Sequence, residues 1–312
     1  MIYQTLGNTG LSVSSVGFGC APLGSHYDEL GESEALQTVH HAIDHGINFF
    51  DTSPFYGKTL SEIRLGRALK GRRDQVIVAT KGGRFDMEGF DFSYDGIIKM
   101  CEASLQRLQT DYIDVYQLHD IEFGDKAVVV NEAIPALQAL KQAGKVRFIG
   151  VTGYPLPLLC EMAETQEIDV TLSYCHHNLL NRRLDDLLLP VVRAKGMGLI
   201  NASITSMGLL TDNGPQAWHP APPKLKAVVK QVAGYCREKG VNIAHLAIQF
   251  AVQESQADVT LLGTRTLDEL TGSLNIIDKP IDSTLLETVL DMIKPVANIS
   301  WPSGNFDGAD PN

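Results

Sequence analysis

No stretch of the 312-residue chain stays apolar for the roughly 18 residues that a membrane-spanning helix requires. Basic runs are missing too. Against 37 Asp and Glu stand 26 Lys and Arg, and the net charge of −11 argues against nucleic acid and anionic membrane surfaces as partners. The opening segment MIYQTLGNTGLSVSS lacks a basic start followed by an apolar block, so it does not read as a secretory signal. Cysteine is sparse: Cys20, Cys101, Cys160, Cys175 and Cys236 are odd in number, far apart and without a C-x-x-C. Free thiols in a reducing, cytoplasmic compartment are the expectation. Coiled-coil heptads are also absent, which leaves the oligomeric state open.

What is present alternates. Short apolar, β-branched runs recur at 16–19 (VGFG), 48–51 (NFFD), 76–81 (VIVATK), 113–119 (IDVYQLH), 147–152 (RFIGVT), 170–174 (VTLSY), 198–203 (GLINAS) and 259–263 (VTLLG). Between them lie segments of helical period. Ile97, Ile98, Cys101, Leu105 and Leu108 share one face behind a candidate N-cap, Ser93. Ile134, Leu137 and Leu140 form another stripe, ending at Gly144. Strands that are apolar throughout and followed by helices imply a parallel sheet covered on its outer face. Eight such units without linker composition predict an α/β fold: one (β/α)8 TIM barrel as a single domain over 1–312. An N-terminal β-hairpin around Asn-Thr-Gly should close its floor. The long loop 205–223 and the aperiodic tail after Pro295 are expected over the mouth. An open doubly wound sheet is disfavoured, because Gly17-Phe18-Gly19-Cys20-Ala21-Pro22 fails the last glycine of the dinucleotide fingerprint.

In such a barrel the active site lies where the strands end. Asp51 ends the second strand, Tyr56 follows it, Lys81 ends the third and His119 ends the fourth. Singly, each has an ordinary role as a turn, solvated or packing residue. Together they form a proton-handling unit. A tyrosine is a poor base at neutral pH, and burial makes it poorer. A nearby ammonium lowers its pKa, and a carboxylate keeps that ammonium charged. Asp51 is therefore expected to hold Lys81 charged, Lys81 to lower Tyr56, and Tyr56 to move the proton while His119 orients a substrate oxygen. Cys20 and Cys175, near strand ends, are expected to make activity sensitive to oxidation. The pair His176-His177 has no accompanying acid or thiol cluster, so no metal is expected.

The ordered set Asp51, Tyr56, Lys81, His119, with GNTGLSVSSVGFG, GINFFDTSPFYG, SLQRLQTDYIDVYQLHD and KQAGKVRFIGVTG, resembles the aldo-keto reductase family over essentially the whole chain. HDIEFGD, SYCHHN, GPQAWHP and SWPSG are similar to a plant-type sugar-oxidising branch of it. The resemblance implies a nicotinamide cofactor extended across the mouth and oxidation of an aldose at C1, with L-galactose going to its 1,4-lactone. It also implies cofactor contacts from Gly19, Asp51, Thr152, Tyr174, Ser203, Ile204, Thr205, Gly208, Gly263, Arg265, Glu269 and Ser273. Thr152 stands where a carboxamide partner belongs, and Tyr174 is the available stacking face because Ala202 replaces the usual aromatic. Glu269 would repel a 2′-phosphate while Arg265 could bind one, so NAD is expected and NADP is the alternative. Phe55, Tyr56, His119, Phe123 and Trp301 are the substrate candidates, the last as a stacking face for a sugar. An NADPH-dependent carbonyl reductase and a cofactor-binding regulatory subunit are the competing readings.

Overall fold

The computed structural model describes residues 1–25 and 30–306. All eight expected strands form and close into one parallel barrel. After a hairpin of β1 (Tyr3–Thr5) and β2 (Ser12–Ser14), the staves are β3 (Val16–Gly19), β4 (Phe49–Asp51), β5 (Ile77–Gly82), β6 (Ile113–Leu118), β7 (Val146–Gly153), β8 (Val170–Tyr174), β9 (Gly198–Ala202) and β10 (Val259–Leu262). β10 returns to pair with β3, Thr260 opposite Val16, and closes the ring.

Alternation along each stave explains both cores. Phe49, Ala79, Val115, Leu172, Ile200 and Leu261 point inward and fill the barrel. Phe18, Phe50, Val78, Tyr116, Ile149 and Leu199 point outward against the helices. In the helix Tyr94–Leu108, the Ser93 hydroxyl accepts from Gly96 N at 3.1 Å, as its N-cap position predicts. Ile97, Cys101, Leu105 and Leu108 are buried on one face, and Ile98 packs at its margin. Removing a side chain such as Ile97 should cost about 2–5 kcal/mol. The helix Ile134–Gln142 stops before Gly144, whose φ of +73° suits glycine.

The hairpin seals the floor. Leu6 is buried in the barrel interior, and Asn8 N donates to Gly196 O just below β9. The loop 205–223 lies past β9, at the opposite end. The tail begins with a short turn at Lys294–Val296, and its residues 307–312 lie outside the described residues. A Tyr-x-x-x-Lys spacing occurs at Tyr235 and Lys239, but Tyr235 belongs to the outer helix Pro223–Glu238 rather than to a stave. No helix among the described residues is long and apolar enough to cross a membrane.

Candidate active site

The inward positions that carry Ala79 and Val115 lower in the barrel carry Lys81 and Gln117 one step higher, level with each other. Asp51 lies level with Ala79, one inward position below Lys81. This period of two brings the polar residues together at the mouth. Lys81 Nζ donates to Asp51 Oδ1 at 2.5 Å, to Thr52 O at 2.8 Å and to Tyr56 Oη at 3.3 Å. Gln117 Nε2 donates to Asp51 Oδ2 at 3.2 Å. Both Asp51 oxygens are thus engaged inside the barrel, and Asp51 acts on the mouth through Lys81 rather than by an exposed face of its own.

Tyr56 is held by close backbone packing. A Cβ on Gly24 would lie 2.6 Å from Tyr56 O, and one on Gly57 would lie 1.9 Å from Gly24 O. Gly57 also has φ +62°, so glycine is required there twice over. The Tyr56 ring meets His119 edge-on, with centroids 5.6 Å apart. His119 Nδ1 lies 3.0 Å from Ser53 Oγ, which already accepts from Phe55 N at 3.1 Å. The serine proton is therefore available to Nδ1, which leaves Nε2 protonated and able to donate to a substrate oxygen.

The electrostatics agree with the expected division of labour in part. Burial pulls Lys81 down, but Asp51 and Tyr56 outweigh it and the ammonium is held above its usual range. His119 is pushed well below its usual value by burial, Lys81 and Arg84, so its ring is neutral. Tyr56 departs from expectation. Lys81 does pull it down, yet burial, aided by Asp51 and Asp120, wins and the phenol is raised. Burial of the hydroxyl costs the phenolate more than one ammonium at 3.3 Å returns.

Among the cofactor candidates, Thr152 is buried at the end of β7, and its Oγ1 accepts from Asp120 N at 3.0 Å, leaving its proton to donate. Tyr174 is half-buried at the end of β8 and donates to Glu122 Oε1 at 3.3 Å. Gly19 ends β3 and Gly263 directly follows the adjacent stave β10; a Cβ on Gly19 would stand 3.7 Å from the Gly263 backbone. In the loop after β9, Ser203, Ser206, Met207 and Gly208 all have φ between +51° and +89°. The N–H groups of Ile204, Thr205, Met207 and Gly208 have no acceptor among the described residues. Four free amides in one loop, interrupted by Ser206 N, which donates to Ser203 O at 2.7 Å, are donors of the kind that bind anions. Arg265 and Glu269, expected to oppose each other, are partners: Nη2 donates to Oε1 at 2.7 Å and Arg265 N to Oε2 at 2.9 Å. Ser273 is buried with its hydroxyl donated to Glu269 O at 2.8 Å, so it turns into its helix and away from any ligand.

Phe55 and Phe123 flank the mouth with Arg84 between them, its Cζ 4.1 and 4.9 Å from their ring centroids. Arg84 also binds Asp120 Oδ2 at 2.5 Å, and that oxygen lies 3.7 Å from His119 Nε2. Trp301 is not a free rim residue. It is 9% exposed and stacks on Tyr154, with ring centroids 5.1 Å apart. Arg84, Asp120, Gln117, Ser53 and Glu122 escaped sequence reasoning. Asp120, next to His119, and Gln117, two residues before it in β6, carry a positional signal.

Cys20 and Cys175 are both buried, and burial raises both thiols, Cys175 to about 12. The expected oxidation sensitivity therefore lacks an accessible thiolate. His177 Nδ1 pairs with Asp185 at 3.0 Å, and among the described residues no group of three His, Cys, Asp or Glu could hold a metal.

Comparison with known proteins places this geometry. The model of the aldo/keto reductase family matches residues 15–293. The chain is 45% identical to L-galactose dehydrogenase of Arabidopsis thaliana, over 96% of this chain and 97% of that protein. It is 36% identical to D-arabinose 1-dehydrogenase of Saccharomyces cerevisiae, over 94% of each. The holo form of aldo-keto reductase AKR11C1 from Bacillus halodurans superposes with a TM-score of 0.78 at 26% identity, covering 98% of this chain and all of that one.

Proposed function

The chain belongs to the aldo/keto reductase family, and we propose that within it the protein oxidises an aldose at C1 to the lactone with NAD+, L-galactose being the foremost substrate. The observation that carries this reading is the single ammonium of Lys81 joining the Asp51 carboxylate to the Tyr56 hydroxyl beside a neutral His119. Relatives named L-galactose dehydrogenase, at 45% identity, and D-arabinose 1-dehydrogenase, at 36%, support the substrate class. The Arg84–Asp120 pair beside His119 adds donors and acceptors suited to a polyhydroxylated molecule.

A bound nicotinamide would supply the acceptor for the hydride of C1. The chain supplies the rest. His119 Nε2 donates to the sugar oxygen and fixes C1. Tyr56 Oη takes the anomeric hydroxyl proton as the C1–O double bond forms. Lys81 stabilises the phenolate form of Tyr56 that can accept this proton, and Asp51 keeps Lys81 ionised. In this reading Thr152 and Tyr174 meet the nicotinamide end, the free amides of Ile204, Thr205, Met207 and Gly208 the pyrophosphate, and the Arg265–Glu269 pair the adenosine end.

That last pair favours NAD. Glu269 neutralises Arg265 and is itself held in its ionised form by it, against the opposing effect of burial. A 2′-phosphate would face no net positive charge there, whereas a free hydroxyl could donate to the carboxylate. The test is an initial-rate panel of NAD+ and NADP+ against a dozen aldoses, with NADPH and simple aldehydes as the reverse set. Fastest turnover with NAD+ and L-galactose supports the assignment. Turnover confined to NADPH and aldehydes would replace it with carbonyl reduction, and none at all with a regulatory, cofactor-binding role.

A further inference from the structure

Behind Tyr174 lies a carboxylate that the proton-handling residues do not use. Glu122 follows β6 in the turn Ile121–Phe123 and is 2% exposed. Its Oε1 accepts from Tyr154 N at 3.0 Å, from Tyr174 Oη at 3.3 Å and from Ser303 Oγ at 3.0 Å. Its main-chain oxygen accepts from Asn305 N at 2.7 Å. One residue thereby ties the ends of β6, β7 and β8 to the C-terminal segment. Oε2, in contrast, is buried without a partner among the described residues, and space for it is kept by Gly153, whose Cβ would lie 2.9 Å away. If gathering three donors were the whole task, a neutral carbonyl oxygen would serve, and a buried carboxyl with an orphan oxygen would be a cost without return.

We infer that Glu122 is a positioning residue that fixes the Tyr174 phenol and sets negative charge behind it, so that the mouth binds the oxidised, cationic nicotinamide in preference to the reduced, neutral one. This rests on the proposed placement of the nicotinamide at Tyr174. A loosened wall would weaken both nucleotides alike; a removed charge weakens the cation selectively, and the two effects separate.

The charge has a pH window. Burial and then Asp120 push Glu122 up to about 8, against its own main-chain N–H and the hydrogen bonds from Tyr154 N and Ser303. The carboxylate is present above that pH and lost below it, so the preference strengthens from pH 6.5 to 9.5. The ionisable groups facing Glu122 are Asp120, held by Arg84; the phenols of Tyr154 and Tyr174, the latter raised by burial; and Asp125 and Lys126, which line the adjoining cavity.

The test is calorimetric binding of NAD+ and of NADH, without substrate, to the native protein and to Glu122→Gln at pH 6.5 and 9.5. In the native protein the ratio of the NADH Kd to the NAD+ Kd should rise roughly three- to tenfold between the two pH values. In Glu122→Gln it should stay at its low-pH value throughout. A native ratio independent of pH, or a variant ratio that rises as the native one does, would overturn the inference while leaving the dehydrogenase reading intact. Failure of both nucleotides to bind the native protein would overturn the two together. Should the variant not fold, the native pH series alone decides.

Discussion

Lys81 and Asp51 form an ion pair, Nζ to Oδ1 2.5 Å, with their side chains 1% and 3% exposed. A pair so far from water persists because each partner cancels the other's desolvation cost, and the arrangement aims the remaining ammonium proton at Tyr56. Replacing Asp51 by Asn leaves a buried cation with only an amide, the Thr52 carbonyl and the phenol. We expect Asp51→Asn to lose about 3–5 kcal/mol of stability in urea unfolding and to lower turnover at every pH. An unchanged midpoint with unchanged turnover would contradict the role given to the pair.

The rate of aldose oxidation should climb with pH. Tyr56 accepts a proton only as phenolate, and its hydroxyl is held above its ordinary range by burial, then by Asp51 and Asp120, despite Lys81. The phenolate fraction then grows about tenfold per pH unit across the neutral and mildly alkaline range. Initial rates of kcat/KM should rise to pH 9 without a plateau, and His119, held neutral, should add no inflection between about pH 6 and 8. A plateau beginning near neutrality would mean that Lys81 outweighs burial in the working enzyme.

Cofactor choice should respond to a single residue. Glu269 both occupies and neutralises Arg265. Glu269→Ala frees a guanidinium for a 2′-phosphate and should improve kcat/KM for NADP+ relative to NAD+ by roughly two- to fivefold, the worth of one exposed charged contact. An unaltered ratio would remove this pair from the account of cofactor choice.

Much of the fold was legible. Eight staves are apolar on both faces, so each run announced itself whole, and Ser93 marked its helix start at the residue where the cap forms. The Asp51–Lys81–Tyr56 contact was readable because each residue ends or follows a stave, and strand ends converge at one mouth. The Arg84–Asp120 and Glu122–Ser303 contacts were not, since they join segments 36 and 181 residues apart through loops whose paths no period encodes. Trp301 illustrates the limit: an aromatic in an aperiodic tail suggests exposure, whereas Tyr154 covers it. The direction of the Tyr56 shift depended on how deeply its hydroxyl sits, which composition does not fix.

The thiols offer an independent check. Cys20, Cys101, Cys175 and Cys236 are buried and their thiols are raised, while Cys160 is half-buried. Iodoacetamide at pH 7 should label Cys160 at most and leave more than about nine-tenths of the activity, because the reactive thiolate is absent at the mouth. Peptide mapping that finds Cys20 or Cys175 alkylated in step with inactivation would restore the redox-sensitive reading.

The most direct measurement follows deuterium from C1 of L-galactose in native protein and in Tyr56→Phe. In the native protein with NAD+, mass spectrometry should find the label on the reduced cofactor and the sugar converted to its lactone. In Tyr56→Phe, NAD+ should bind within about threefold of native while label transfer slows by a factor of 10² or more, as loss of the proton acceptor demands. Label transfer at near-native rate in Tyr56→Phe, or label lost to solvent in the native protein, would contradict direct hydride transfer coupled to proton removal by Tyr56.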